Sequence, residues 1–374
     1  MKIKVCIVID NLYAGGTQRQ LLEFLKSCDR QRFNITVISL DGQRNPMEAD
    51  IVSLGYSVLR VSHKGFFNLT TIFSLCRIFK SEKPDIVHTY PYTSDFYGRL
   101  AAIFSNITAI ICSVRNIQIW KKWYHLLADK ILSSFTDTIT VNAENIKPYL
   151  IKRAGINPDK IRTIYNGKDL SRFAHLRDAD EMKRELRIPQ NSCVVGMVGR
   201  FSEQKDYPTF LKAAKKVSQS LPDTYFAAIG DGQTKQEMRD LALRLGLSGH
   251  TIFTGLRNDV PDLINTLDIG VLVSHYEGCP NVILEYMAGS KPTIAADVGG
   301  CAEVIEDGKT GFIVAPRDTE ALAEKIITLL KDTSMRARMG EAGRKRVEEC
   351  FSLKKMVQST ENLYTELYQQ KYSH

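Results

Sequence analysis

Lys168–Asn191 reads KDLSRFAHLRDADEMKRELRIPQN, and the chain then turns apolar in Cys193–Gly199, CVVGMVG. The first stretch is polar and dense in charge, which fits a linker with a short first helix. The second is a β-branched run that restarts a strand–helix series. On the N-terminal side, similar short runs occur at Val5–Ile9, Ile35–Leu40, Ser57–Val61, Ile86–Thr89, Ala109–Val114, Thr138–Val141 and Ile161–Ile164. Amphipathic stretches of helical length separate them, such as Thr17–Cys28, Thr70–Lys80 and Ser94–Ser105. On the C-terminal side the runs continue at Tyr225–Ile229, Thr251–Thr254, Ile269–Val273, Thr293–Ala296 and Phe312–Val314. Strands alternating with helices imply parallel sheets, and near-continuous apolar strands imply sheets covered on both faces. The expected fold is α/β, with two doubly wound Rossmann-like domains facing each other across a cleft. Residues 1–168 form the first, joined by a C-terminal helix at about 355–374, and residues 169–354 form the second. The tail from about Thr333 to Tyr372 reads as helical and charged.

Of the 374 residues, 44% are hydrophobic and 25% charged, the balance of a soluble globular protein. That excludes a disordered chain, a collagen-like fibre and a disulfide-rich miniprotein. No apolar run approaches the ~20 residues of a membrane span. The N-terminal MKIKVCIVID runs straight into a strand, so no signal peptide is expected. None of the eight cysteines is spaced as C-x-x-C, and Cys6, Cys112 and Cys193 sit in apolar runs. Reduced thiols in a cytoplasmic protein are expected, rather than a disulfide framework or a zinc site. Charge is uneven: residues 1–168 carry 23 Lys and Arg against 13 Asp and Glu, a net +10, and the remainder carries −2. A basic half suits a phosphorylated ligand, an anionic membrane or nucleic acid, and charge alone does not choose.

Four segments carry candidate chemistry. Asn11–Thr17 (NLYAGGT) follows the first strand and opens the first helix, so Gly15 and Gly16 form either a tight turn or a ligand loop. The dinucleotide fingerprint G-x-G-x-x-G is absent there. His88 ends the fourth strand, where ligands of open α/β sheets bind, and is either functional or a satisfied structural residue. Gly199-Arg200…Lys205 places two cations at a strand end, suited to a diphosphate whose charge grows as it leaves. Ser274–Pro292 (SHYEGCPNVILEYMAGSKP) holds two glutamates, Glu277 in a loop after a strand and Glu285 in the early turns of a helix. Carboxylates accept hydrogen bonds from the paired hydroxyls of sugars and riboses. Around Gly278, Cys279, Pro280, Asn281 and Val282 a helix N-terminus turns backbone N–H groups toward an anion.

Together these residues resemble a retaining GT-B glycosyltransferase of family 4, also called the group 1 type. Gly15-Gly16, His88, Asn166-Gly167, Gly199-Arg200…Lys205, Gly230-Asp231-Gly232, Thr254-Gly255 and Glu277…Pro280…Glu285 carry the resemblance, as does Lys291–Gly311. It spans nearly the whole chain, is diagnostic over 193–315 and is weaker in the first domain. It implies that the second domain holds a nucleotide-sugar, UDP-sugar first among the choices, and that the first holds the acceptor. It further implies that Arg200 and Lys205 grip the diphosphate, Glu277 meets the donor sugar, and backbone at Cys279–Val282 touches sugar and phosphate. Glu285 would take the ribose hydroxyls, backbone near Leu256 and Arg257 the base, and Gly15-Gly16 the diphosphate and acceptor. Asn166 belongs to the substrate-binding set, and His88 would sit near the transferred sugar. Cys279 stands where an apolar residue is common, and Gly-Gly-Thr-Gln-Arg19 replaces the frequent Gly-Gly-Ala-Glu-Arg. The default acceptor is a lipid-linked saccharide of surface polysaccharide synthesis.

No cofactor or metal is expected. The D-x-D at Asp178-Ala-Asp180 lies in the charged linker rather than at a strand end, and the two cations would stabilise the leaving group in a metal's place. Ile117–Leu127 (IQIWKKWYHLL) joins Trp120 and Trp123 to adjacent lysines. It suits a helix lying in the surface of an anionic membrane, or one packed on its own sheet. Peripheral association with the inner face of the membrane is the expectation. Two other readings compete: a sugar-nucleotide epimerase of the same architecture, and a basic nucleic-acid-binding protein. The first needs acid–base carboxylates around the sugar, which this sequence does not place. The second does not account for Glu277 and Glu285 beside an Arg/Lys pair.

Overall fold

The computed structural model describes residues 2–63, 68–118 and 120–372. The chain forms two compact units, Met1–Gly167 with Leu353–His374, and Lys168–Ser352. Strands β1 (Ile3–Ile9), β2 (Phe33–Ser39), β3 (Ser57–Arg60), β4 (Ile86–Thr89), β5 (Ala109–Val114), β6 (Thr138–Val141) and β7 (Ile161–Thr163) belong to the first. Strands β8 (Cys193–Val198), β9 (Thr224–Ile229), β10 (Thr251–Gly255), β11 (Ile269–Leu272), β12 (Thr293–Ala296) and β13 (Gly311–Val314) belong to the second. The sheet orders are β3-β2-β1-β4-β5-β6-β7 and β10-β9-β8-β11-β12-β13, with every pairing parallel. In each sheet the order reverses beside the first strand, between β1 and β4 and between β8 and β11. A doubly wound sheet opens its ligand crevice at such a reversal, outside the carboxyl ends of the strands.

The strands are apolar on both faces because both are covered. In β1, Val5, Ile7 and Ile9 pack on Leu21, Phe24 and Leu25 of the helix Gly16–Ser27. Cys6 and Val8 face the other way, onto Leu75, Phe79 and Ala101. In the second unit Val195 and Met197 of β8 pack with Phe210, Ala214, Leu322 and Ile326. The polar stretch after Gly167 is part of this unit, since Met182 of the helix Ala179–Glu185 is fully buried.

The tail is two helices rather than one. Thr333–Cys350 ends at Phe351, and a new helix runs from Leu353 to Tyr372. Phe351 is buried, and its carbonyl accepts from Lys168 N at 2.8 Å, which draws the backbone out of helical register. The last helix then closes the first core with Met356, Leu363, Tyr364 and Leu367.

Candidate active site

In the second unit the candidate residues leave neighbouring strands at the reversal. β8 ends at Val198 and leads to Gly199 and Arg200, and β11 ends at Leu272 and leads to Glu277. The turn after β8 is fixed by backbone. Gly199 N donates to Ile229 O at 2.9 Å, and Gly199 O accepts from the Tyr207 hydroxyl at 2.9 Å. Gly230 has φ +141°, and a Cβ there would stand 2.0 Å from Gly199 O, so only glycine allows the two loops to touch. Gly299, at φ +57°, packs on the second loop in the same way, and a Cβ would meet Glu277 O at 2.0 Å. Gly300 N donates to Gly278 O at 2.8 Å. The Glu277 loop is therefore held between its own strand and the loop after β12.

The charged groups are not equivalent. Arg200 is exposed, and among the described residues no ion pair engages it. Lys205 ends a short 3-10 turn, Glu203–Lys205, and its Nζ lies 2.5 Å from Glu277 Oε1. Both side chains of that pair are mostly buried, 17% and 10% exposed. Four residues past Glu277 the helix Asn281–Ala288 begins, with Pro280 as its N-cap. Glu285 lies one turn into it and is buried, with Oε1 hydrogen-bonded by the ammonium of Lys168. Tyr286, also buried, fixes the helix by accepting from Val198 N at 2.7 Å. Cys279 and Val282 are buried in the loop and first turn. Cys301 is buried nearby, and its thiol is pushed well up by burial first and by the Glu277 charge second. Leu256, after β10, is 74% exposed, while Arg257 is tied to Asp259 at 2.5 Å and to Glu185 at 2.8 Å.

In the first unit Gly15 is the N-cap of the helix that Gly16 opens. Asn166 is buried, and its Oδ1 accepts from Arg115 Nη2. Gln20 exchanges two hydrogen bonds with the Gly167 backbone, each 3.1 Å. His88 is held at both ring nitrogens. It is buried, with Nδ1 2.7 Å from the Tyr364 hydroxyl and Nε2 2.8 Å from Ser113 Oγ. Ser113 Oγ continues to Thr140 Oγ1 at 2.7 Å. Burial, with Arg115 as the lesser cause, lowers the His88 pKa to about 3, so the ring is neutral and satisfied. Of the two readings open for this residue, the packing favours the structural one.

None of the eight cysteines forms a disulfide. Asp178 caps a helix, accepting from Glu181 N at 2.9 Å. Among the described residues no three His, Cys, Asp or Glu side chains gather as a metal-binding group. Among them, too, no helix is long and apolar enough to cross a membrane.

Ile119 lies outside the described residues; the helix after it, Trp123–Ser134, packs on its unit through Leu126, Asp129 and Leu132 and leaves an apolar face outward. Trp123, Leu127, Ile131 and Phe135 recur every fourth residue, and all are exposed. Lys121 is not a surface cation. Its Nζ lies 2.6 Å from Asp129, which with Asp95 also pairs the buried Arg99. Lys122 is exposed.

Three residues of these sites carried no signal of their own in the sequence: Lys168, Arg115 and Tyr364. Lys168 follows Asn166-Gly167 directly, but its partner lies 117 residues away.

The model of the Glycosyl transferases group 1 family matches residues 178–346, and that of Glycosyltransferase Family 4 matches 14–172. Over 98% of its length the chain is 26% identical to an Escherichia coli UDP-Gal:alpha-D-GlcNAc-diphosphoundecaprenol alpha-1,3-galactosyltransferase, covering 97% of that protein. It is also 26% identical to the Staphylococcus aureus capsular polysaccharide biosynthesis glycosyltransferase CapM, with 92% of each chain covered. Among solved structures, Anabaena Alr3699/HepE in complex with UDP superposes with a TM-score of 0.87 at 20% identity, over 97% of this chain and all of that one. The same protein was solved with UDP-glucose. Two family models that between them take in both units, on a pair of doubly wound parallel sheets, place the chain among the group 1 glycosyltransferases of GT-B fold.

Proposed function

We propose that this glycosyltransferase moves a sugar from a UDP-sugar, with retention and without a metal, to a lipid-linked saccharide in surface polysaccharide synthesis. The observation that carries the reading is the Lys205–Glu277 pair at the reversal of the second sheet, with Arg200 on the same loop as Lys205. In this reading Arg200 and Lys205 hold the diphosphate, Glu277 accepts from donor-sugar hydroxyls and Glu285 from the ribose. Leu256 and Arg257 lend backbone to the base. Gly199, Gly278, Cys279, Pro280, Asn281 and Val282 shape the phosphate and sugar contacts. Gly15, Gly16 and Asn166 serve the diphosphate and acceptor, and His88 positions the acceptor unit through Tyr364 and Ser113. The bond from the anomeric carbon to the diphosphate breaks, its electron pair leaving with UDP. The acceptor oxygen bonds the anomeric carbon on the same face, and its proton passes to the departing phosphate. Two cations oppose the charge that grows there, which is the role a divalent ion fills elsewhere.

The choice of UDP is supported by the names of the Escherichia coli relative and the Anabaena complexes. The lipid-linked acceptor is supported by the diphosphoundecaprenol in the former. The exposed stripe Trp123–Leu127–Ile131–Phe135, on a unit of net basic charge, supports peripheral contact with an anionic bilayer from the cytoplasmic side. No nucleic-acid partner is needed to account for the charge. The deciding experiment is a binding screen of UDP-, GDP- and ADP-sugars against the purified chain. Turnover and product anomer would then be measured on a lipid-linked acceptor. Binding confined to GDP- or ADP-sugars would overturn the donor, and an inverted product would overturn retention.

A further inference from the structure

Lys168 lies one residue beyond the Asn166-Gly167 pair that carries the family resemblance. It is the first residue of the second unit, and its backbone is anchored by that unit's last residues. Its N–H donates to Phe351 O at 2.8 Å, and it bridges Ser352 in parallel register. From this fixed base the ammonium reaches Glu285 Oε1. The two side chains are 9% and 12% exposed. Among the described residues no other carboxylate pairs with Lys168, and no hydrogen bond reaches Glu285 Oε2. A charge-assisted bond of this kind is strong, and removing one partner strands the other as a buried charge. Glu285 is therefore a carboxylate with one oxygen committed and one left.

We propose that Lys168 is the positioning residue of the ribose subsite, holding Glu285 so that Oε2 accepts from the vicinal diol of a ribonucleotide donor. This rests on the assignment of Glu285 to the ribose. A carboxylate that rotates freely accepts equally from any nearby donor. One held by an ammonium at Oε1 offers its remaining lone pairs in a fixed direction. A ribose, with two adjacent hydroxyls, meets that direction with two donors, and a 2′-deoxyribose with one. Lys168 thus sets the preference for ribose over deoxyribose as well as the affinity.

The test is calorimetry of UDP and 2′-deoxy-UDP on the full chain as wild type, Lys168→Met and Lys168→Arg, each checked by thermal unfolding. The wild type should bind UDP and prefer it to 2′-deoxy-UDP. Lys168→Met should weaken UDP binding by about ten- to a hundredfold, the scale of a hydrogen bond to a charged group, and bring the preference toward one. Lys168→Arg should restore most of both. The inference is overturned if Lys168→Met keeps the wild-type preference, whether or not affinity falls, because uniform weakening is what structural damage gives. It is also overturned if the wild type binds UDP with no preference for ribose. If the wild type binds none of UDP, GDP or ADP, the nucleotide assignment itself falls, and that result is visible before any variant is made.

Discussion

Lys205 and Glu277, carried by loops from neighbouring strands, form a mostly buried ion pair with Nζ 2.5 Å from Oε1. The cation assigned to the diphosphate and the carboxylate assigned to the sugar thus hold each other in place before a donor arrives. A donor whose phosphate faces Lys205 and whose hydroxyls face Glu277 is met by groups already oriented, which is the condition for electrostatic catalysis.

That pairing separates two variants that would otherwise look alike. Arg200→Ala and Lys205→Ala should each lower kcat by about 10²–10³, the cost of one preorganised charge. Arg200 is exposed, so its loss should leave the unfolding temperature unchanged. Lys205→Ala strands a buried carboxylate and should lower it, and Lys205→Met with Glu277→Gln should recover stability without recovering turnover. Equal unfolding temperatures and wild-type rates in both single variants would refute the assignment.

Glu285→Ala should weaken binding of free UDP by about tenfold or more, whereas Glu277→Ala should leave UDP affinity nearly intact and impair transfer. Isothermal titration with UDP, followed by turnover with a UDP-sugar, distinguishes ribose from sugar recognition. The same loss of UDP affinity in both variants would end that division of labour.

Transfer should persist in EDTA if, as proposed, Arg200 and Lys205 stabilise the leaving diphosphate. A complete loss of UDP release that added magnesium or manganese reverses would contradict this.

His88 should make folding sensitive to acid. Its pKa falls from 6.5 to about 3 on burial, so protonation favours the unfolded chain. Its contribution is whole above about pH 6.5 and is lost as pH falls toward 3, on the order of a few kcal/mol. Asp10 acts in the opposite sense, since burial raises its carboxyl to about 6 and its contribution is lost as pH rises toward that value. Chemical denaturation of His88→Asn and wild type between pH 7 and 4 isolates the histidine. The variant should be less stable at pH 7 and lose less on acidification, and parallel curves would show that the ring does not titrate as its burial requires.

Anionic vesicles should bind the protein at low salt and release it as salt rises, since surface attraction decays over a Debye length of about 8 Å at physiological ionic strength. Changing Trp123, Leu127 and Ile131 together to Ser should abolish co-sedimentation. Lys121→Ser should instead lower thermal stability, because it leaves Asp129 short of a partner. Co-sedimentation that survives the triple change would move the contact elsewhere.

The strands were legible because burial on both faces leaves an unbroken β-branched run, as in Val5–Ile9 and Val194–Val198. The charged side chains were legible by type and not by partner. Lys121 beside two tryptophans reads as a surface cation, yet Asp129, eight residues on, pairs with it. The break near Phe351 was legible as a boundary between the second domain and a last helix, with Ser352 as an N-cap type before Leu353, but the hydrogen bond that Phe351 O accepts from Lys168, far away in sequence, was not. For His88 the sequence left two readings, and Tyr364, in a helix 276 residues later, favours one of them.

The return of Leu353–Tyr372 to the first core sets an order of events during synthesis. The second unit is one continuous segment and can complete its fold as soon as it has emerged. The first emerges earlier but waits. Until Tyr364 arrives, Phe24 and Phe33 lack the ring that packs edge-on against them, and His88 lacks a partner for Nδ1. The half of the enzyme made first is thus finished last, and a chain truncated after Ser352 would hold a complete second unit and a first whose apolar seam is open to chaperones.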